Sequence, residues 1–311
     1  MKIAKGLHPK NLHSEKYDFE KLVSSFPQLG EFVKPNQYND LSIDFGDPRA
    51  VLALNQSLLK EFYQVENWNI PKGNLCPPIP GRVDYIHYVA DLLAEANGGV
   101  VPVGTNVKGL DIGTGASCIY AILGNSVYGW RFVGTDTDSN AVTQAKKNIE
   151  LKSTLQKNIK IRFQKNQNSP LKDMIKSDEK FDFTICNPPF YSSLEEANLA
   201  ADQKIRNLNQ NKEKKGHFVA QNRRPDNFGG QQSELWTAGG ELAFINQMID
   251  ESCDFSSRVG WFTTLVSNKE HLMPLNEKLQ QMKNVESRTI EMEHGKKKSH
   301  ILAWRFANKE K

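Results

Sequence analysis

Val107-Lys108-Gly109-Leu110-Asp111-Ile112 runs without a break into Gly113-Thr114-Gly115-Ala116-Ser117. The first six residues predict a buried strand and the next five a glycine turn. The apolar run from Cys118 to Leu123 then predicts a helix. Strand, glycine turn and helix in that order form the cofactor-binding opening of a Rossmann-type fold. Gly113 and Gly115 let the backbone approach a ligand closely. Ser117 falls near the place of the third glycine of the dinucleotide fingerprint, which argues against a nicotinamide or flavin cofactor.

Downstream, Arg131–Thr135 predicts a second strand ending in Asp136, at the distance from the glycine turn where an acidic residue holds ribose hydroxyls. Asp138 is expected to cap the next helix, Ser139–Leu151. A third strand, Ile159–Phe163, precedes a polar turn, Gln167-Asn168-Ser169, at the depth where an adenine edge would be read. The fourth strand, Phe181–Cys186, stops in Asn187-Pro188-Pro189-Phe190. Two prolines fix the backbone there, and Pro188 pushes Asn187 out of helical geometry. Asn187 then presents an amide at the carboxyl end of the sheet, where open α/β folds bind ligands. Its oxygen and the Pro188 carbonyl can accept the two N–H groups of an exocyclic amine, with Phe190 as a stacking surface. The plainer alternative is a proline turn beside a core aromatic.

A helix over Glu241–Asp250, a fifth strand over Val259–Leu265, a helix over Lys269–Met282 and a hairpin from Val285–Glu293 and His300–Phe306 complete the chain. The fold class is therefore α/β: a Rossmann-like methyltransferase with a seven-stranded mixed sheet ending in an antiparallel hairpin. The methyltransferase domain is assigned to residues 101–311. Within it, 191–235 is a long polar stretch read as a substrate loop. Residues 1–100 form a mainly helical, basic extension. It is expected to hold a short helix over Asp18–Val23, an extended piece at Ile43-Asp44-Phe45 and a helix started by Asp47-Pro48. The proline-rich linker Leu75–Arg82 and a helix through Tyr85 and Leu93 follow.

The apolar fraction of 38% and charged fraction of 24% suit a globular chain, and no stretch reaches the roughly 18 apolar residues of a membrane span. The opening Met1–Gly6 has no apolar h-region, so a cytoplasmic protein is expected. Cys76, Cys118, Cys186 and Cys253 lie far apart, which predicts reduced, buried thiols and no metal centre. The net charge of +4 is mild but clustered. Lys2, Lys5, Lys10 and Lys16 with His8 and His13 crowd the N-terminus. Lys204, Arg206, Lys212, Lys214, Lys215, Arg223 and Arg224 crowd one stretch, and Lys296, Lys297 and Lys298 form a third group. Such clusters beside a base-handling motif point to nucleic acid.

The glycine turn, acidic second strand and Asn-Pro-Pro-Phe occur in the order of S-adenosylmethionine-dependent N-methylation. Together with Leu7-His8-Pro9-Lys10-Asn11, Leu75-Cys76-Pro77-Pro78-Ile79-Pro80-Gly81-Arg82 and Gly239-Gly240-Glu241, they give the chain a specific resemblance. It resembles the bacterial 23S rRNA adenine N6-methyltransferase family, and is similar to the catalytic domain of eukaryotic U6 snRNA adenine N6-methyltransferases. The resemblance implies Asn187, Pro188 and Phe190 as catalytic residues. It implies Arg82 on the methionine carboxylate of the cofactor, with further cofactor contacts at Asp111, Gly113, Gly115, Asp136, Asn168 and Asn187. Lys5, Lys10, Tyr191, Lys204, Arg206, Arg223 and Arg224 are the candidate RNA contacts. The expected partner is 23S rRNA or a large-subunit assembly intermediate. Same-fold methylation of guanine N2, of DNA or tRNA adenine or of protein glutamine is the alternative, as is a non-catalytic RNA-binding scaffold.

Overall fold

The computed structural model describes residues 6–200, 202–203, 235–294 and 297–307. Seven strands form one sheet: β1 (Lys108–Ile112), β2 (Arg131–Asp136), β3 (Ile159–Phe163), β4 (Phe181–Cys186), β5 (Val259–Val266), β6 (Val285–His294) and β7 (Lys297–Phe306). Their order across the sheet is β3-β2-β1-β4-β5-β7-β6. The first five are parallel, and β7 runs antiparallel to both β5 and β6. The chain starts in the middle, winds outward to β3, then returns to β1 and winds the other way. The reversal lies between β1 and β4, where their carboxyl ends open a crevice. The register sets those ends level, with Ile112 opposite Cys186, so the turns that follow each strand are neighbours.

Helices cover both faces. On one lie α3 (Ile79–Glu95) and α4 (Ile119–Tyr128). Their Ile86, Val89 and Ile122 share an apolar cluster with Phe132 and Phe183 of the sheet. On the other lie α7 (Gly240–Ser252) and α8 (Leu272–Gln281), where Ile245, Met248 and Leu275 pack with Phe262 and Trp304. Between these come α5 (Ser139–Glu150), capped by Asp138 as expected, and the short α6 (Ser153–Asn158). Buried hydroxyls and indoles have fixed tertiary partners: Tyr85 meets Thr263 at 2.8 Å, and Trp304 donates to Ser252 at 3.0 Å.

The N-terminal part adds α1 (Phe19–Ser25), capped by Asp18, and α2 (Pro48–Tyr63), capped by Asp47 with Pro48 at its first position. It shares the core of the sheet: Leu58, Trp68 and Ile86 belong to the same cluster as Phe183. The boundary drawn near residue 100 is one of topology and not of core.

Several local expectations are corrected. The extended piece is not Ile43–Phe45 but the pair Lys34–Pro35 and Leu41–Ser42. Asp44 instead forms a turn, its carboxylate accepting from Gly46 N at 2.8 Å. The linker ends at Pro78, because α3 takes Pro80 into its first turn, where a missing N–H costs nothing. Helix α4 begins at Ile119, since Cys118 adopts φ 50° and cannot join it. Within the stretch read as a loop, residues 194–200 are helical. Cys253 is exposed and not buried.

The N-terminal basic group is also corrected. His8 and His13 are buried, not surface cations. The His8 N–H donates to Asp84 at 2.7 Å, and Asn11 donates to Asp84 at 2.8 Å and to the Pro80 carbonyl at 3.0 Å. His13 pairs with the Tyr63 hydroxyl at 2.7 Å. Asp84 is fully buried, so the Leu7–Asn11 stretch serves as a strap that supplies its donors. In the third basic group, Lys298 lies in β7, bonded to Glu291 at 2.6 Å and Glu293 at 2.8 Å.

Candidate active site

A cleft of about 450 Å³ opens at the carboxyl ends of β1 and β4. Its floor is the glycine turn. Gly113 and Gly115 adopt φ 69° and 63°, in the left-handed region that disfavours side chains. A Cβ on Gly113 would meet no atom within 4 Å, so the backbone there faces open space. Thr114 N donates to the Thr135 carbonyl at 2.9 Å, which ties the turn to the end of β2.

Asp136 has the role of a brace. Gly115 N donates to one carboxylate oxygen at 2.8 Å and Asp138 N to the other at 2.9 Å. Each oxygen keeps lone-pair capacity, and Asp136 lines the cleft. Asn168 also lines it, on a loop held by buried Gln164, which donates to the Ser169 and Lys172 carbonyls at 2.7 and 2.8 Å.

Arg82 lies in the first turn of α3 and reaches the cleft. Its guanidinium sits 5.3 Å above the Tyr120 ring and donates to the Tyr120 hydroxyl at 2.5 Å. Its Nε is buried and meets no partner among the described residues. The strap explains this placement, because Asn11 and His8 fasten the same turn of α3.

Asp111 is the one cofactor candidate outside the wall of the cleft. It is fully buried beneath the glycine turn, accepting from Thr114 Oγ1 at 2.6 Å, and its other oxygen meets no partner among the described residues. Burial pushes this carboxyl up to about 7, and the Asp136 charge adds to the rise.

On the opposite side, Asn187 is half-buried and lines the cleft with Pro189. Pro188 is buried behind them. Phe190 is not part of the wall; its ring lies 6.4 Å from that of Tyr191, edge to face. The aromatic residues of the wall are Tyr120, Trp236 and Phe244. Phe190 N and Tyr191 N both donate to the Leu235 carbonyl, at 3.1 and 3.0 Å, and Thr237 N donates to the Tyr191 carbonyl at 3.0 Å. The segment 235–237 is thus zipped along the Asn-Pro-Pro-Phe turn.

Gly239 and Gly240, at φ 79° and 69°, then launch α7, and Gly240 passes so close to Ser192 that a Cβ would lie 3.3 Å from its nitrogen. The next residue, Glu241, is buried. Its carboxylate accepts from Ser267 N at 2.7 Å, Asn268 N at 3.2 Å and His271 Nδ1 at 2.7 Å. It locks α7 to the loop after β5.

Sequence reasoning missed Trp236, Tyr120 and Glu241 as parts of this site. The available signals were a lone tryptophan just ahead of Gly239-Gly240-Glu241, and a tyrosine two residues into the helix after the glycine turn. Among the RNA candidates, Lys10 is half-exposed and pairs with Asp91 at 3.3 Å. Lys5, Lys204, Arg206, Arg223 and Arg224 lie outside the described residues. Among the described residues, no group of three or more His, Cys, Asp or Glu could hold a metal ion, and no helix is long and apolar enough to cross a membrane.

The cleft therefore joins a backbone cradle with a carboxylate brace to an amide-bearing proline turn. Comparison with known proteins agrees with that architecture. A family model described as RNA methyltransferase matches residues 1–308. The ribosomal RNA large subunit methyltransferase F of Photobacterium profundum is 51% identical, over 98% of this chain and 93% of that one. Its counterpart in Flavobacterium johnsoniae is 49% identical, over 97% and 94%. Among solved structures, the hMettl16 catalytic domain in complex with the MAT2A 3'UTR hairpin 1 superposes with a TM-score of 0.77 and 32% identity, covering 98% of this chain and 96% of that one. The N-terminal domain of human METTL16 in complex with SAH gives 0.73 and 30%, covering 98% and 100%. A methyltransferase sheet, a glycine-floored cleft and half-identical relatives along nearly the whole chain converge: this protein belongs to that RNA methyltransferase family.

Proposed function

We propose that the protein transfers a methyl group from S-adenosylmethionine to N6 of one adenine in 23S rRNA, in the bacterial cytoplasm. The carrying observation is the register of β1 and β4, which brings the Gly113 turn and Asn187 into one cleft. The names of the relatives, for the large ribosomal subunit, and the SAH and RNA hairpin in the titles of the similar structures support the reading.

The residues present fit the cofactor. Buried polar atoms on Arg82 and Asp111 that meet no partner among the described residues flank the glycine turn, and the open space above Gly113 suits close approach of a ligand. Arg82 would hold the methionine carboxylate, the Gly113–Gly115 backbone the body of the cofactor, Asp136 the ribose hydroxyls and the Asn168 turn the adenine edge. When bound, S-adenosylmethionine supplies an electrophilic methyl on a sulfonium, whose charge disappears as the thioether leaves.

The chain then contributes orientation, the main source of rate for such a displacement. The target adenine leaves its stack and enters the cleft. Asn187 Oδ1 and the Pro188 carbonyl accept the two N6–H groups, and Phe190 offers a face to the ring, with Tyr191 beside it. Held in this way, the N6 lone pair points at the methyl group, and N6 afterwards loses one proton to solvent. Lys5, Lys10, Lys204, Arg206, Arg223 and Arg224 grip phosphates, so RNA affinity falls steeply with salt.

Nucleoside mass spectrometry of 23S rRNA from a deletion strain tests the reading. Loss of N6-methyladenine at one site, restored by the wild-type gene and not by Asn187→Ala, is the expected result. Unchanged rRNA with altered methylation of protein glutamine, tRNA or DNA would overturn it. Failure of the pure protein to bind S-adenosylhomocysteine in calorimetry would favour a scaffold.

A further inference from the structure

Trp236 forms part of the cleft wall next to Asn187 and Pro189, yet the reaction described above gives it nothing to do. We infer that Trp236 is a stacking surface for the target base and so a determinant of substrate binding. The inference rests on the reading that the methyl acceptor is a nucleobase.

Three observations carry it. First, Trp236 is one of the three aromatic residues, with Tyr120 and Phe244, in the wall that also holds Asn187, whereas Phe190 stands outside the wall in this structure. Tyr120, the other polar aromatic of the cleft, is already engaged with Arg82 on the opposite side.

Second, Trp236 is built into the catalytic turn. The backbone bonds of Phe190 and Tyr191 to Leu235, and of Thr237 to Tyr191, fix Trp236 in register with the residues that hold N6. The Gly239-Gly240 corner and buried Glu241 hold the same segment from behind. A ring placed to meet the base must move with the group that orients its amine, and this one does.

Third, the ring is half-buried with its polar edge turned inward. Nε1 is buried and meets no acceptor among the described residues. Trp68, Trp130 and Trp304 pair that N–H with Ser117, Pro102 and Ser252, whereas Trp236 and the core residue Trp261 meet no acceptor for it among the described residues. Trp236 differs from Trp261 in being only half-buried and in lining the cleft that also holds Asn187. A base pulled from its stack loses both neighbours, and an aromatic face inside the cleft returns part of that loss. The substrate class this fits is a nucleotide in a loop, bulge or flipped-out position.

A double-mutant cycle tests the inference. Wild type and Trp236→Ala are each bound to an rRNA fragment carrying either the target adenine or an abasic nucleotide in its place. S-adenosylhomocysteine binding is measured in parallel. Removing the base should weaken wild-type binding by about ten-fold and Trp236→Ala binding hardly at all, with cofactor affinity equal in both. Trp236→Phe should recover most of the base-dependent binding. Trp236→Leu, which keeps apolar bulk, replaces the alanine variant if that one does not fold, and should behave like it.

Equal base-removal penalties in wild type and variant would overturn the inference. So would a loss of S-adenosylhomocysteine affinity as large as the loss for RNA, which would put the ring on the cofactor side. If wild type methylates no adenine in the fragment while the base penalty still depends on Trp236, the proposed reaction fails and the stacking surface stands.

Discussion

The two sides of the cleft are built by different means. On the Gly113 side the geometry is local. Three residues with positive φ, Gly113, Gly115 and Cys118, shape the turn, and Asp136 and Thr135 clamp it from the adjacent strand. On the Asn187 side two prolines stiffen the turn, but its surroundings come from far along the chain. Leu235 and Trp236 are zipped to Phe190 and Tyr191, and Glu241 anchors that segment to Ser267 and His271. A backbone cradle suits a cofactor that is always the same. A wall of side chains on a separately anchored segment suits a macromolecular substrate that must be admitted and released.

Substitutions on the two sides should therefore separate cofactor from substrate. Asn187→Ala should have the largest effect, lowering kcat on the order of 10²- to 10³-fold by loss of an oriented acceptor. Methyl transfer from labelled donor reads this out, and S-adenosylhomocysteine affinity should change little.

Glu241→Gln comes next. It puts an NH2 group against donors that a buried carboxylate now satisfies, at a cost of about 1–3 kcal/mol. Thermal melting should show the loss, and KM for RNA should rise more than Kd for S-adenosylhomocysteine. If both constants rise by the same factor, the two sides are not independently anchored.

Gly113→Ala should show the mirror image. An alanine at φ 69° carries strain of about 1–2 kcal/mol, and its methyl group enters the space above the turn. Urea unfolding measures the first effect. Calorimetry should show cofactor affinity lowered more than RNA affinity.

A further prediction concerns Asp111 and pH. Its folded-state pKa is raised by burial to about 7, against about 3.9 in an unfolded chain. A carboxyl raised in this way leaves stability intact below pH 4 and costs stability progressively as pH rises through 7. The slope approaches about 1.4 kcal/mol per pH unit in the window between the two values. The melting temperature of wild type should therefore fall relative to Asp111→Asn between pH 5 and pH 7 and run parallel above it. Parallel curves throughout would mean that the carboxyl ionises freely in the folded protein.

The same contrast governs what could be read in advance. The strand ends at Ile112, Asp136 and Cys186, the helix caps at Asp47 and Asp138, and the terminal hairpin fell where local pattern put them. Misplacements arose where a distant partner or an unusual φ overrode local preference. Helix α3 starts at Ile79 through a proline and a glycine, with the Leu7–Asn11 strap fastening its first turn. His8 and His13 read as surface cations in the sequence, whereas the fold buries both, the His8 ring stacked on His87 and His13 bonded to the Tyr63 hydroxyl.

Alternating burial, glycine turns and prolines act over a few residues, so the sequence alone determined the strands, their order of use and the two turns that face the cleft. Which aromatics share the wall with Asn187, where Arg82 is held and how Glu241 anchors its helix depend on contacts between residues tens of positions apart. Those contacts are selected by packing around one shared core, and only the folded chain brings them into range.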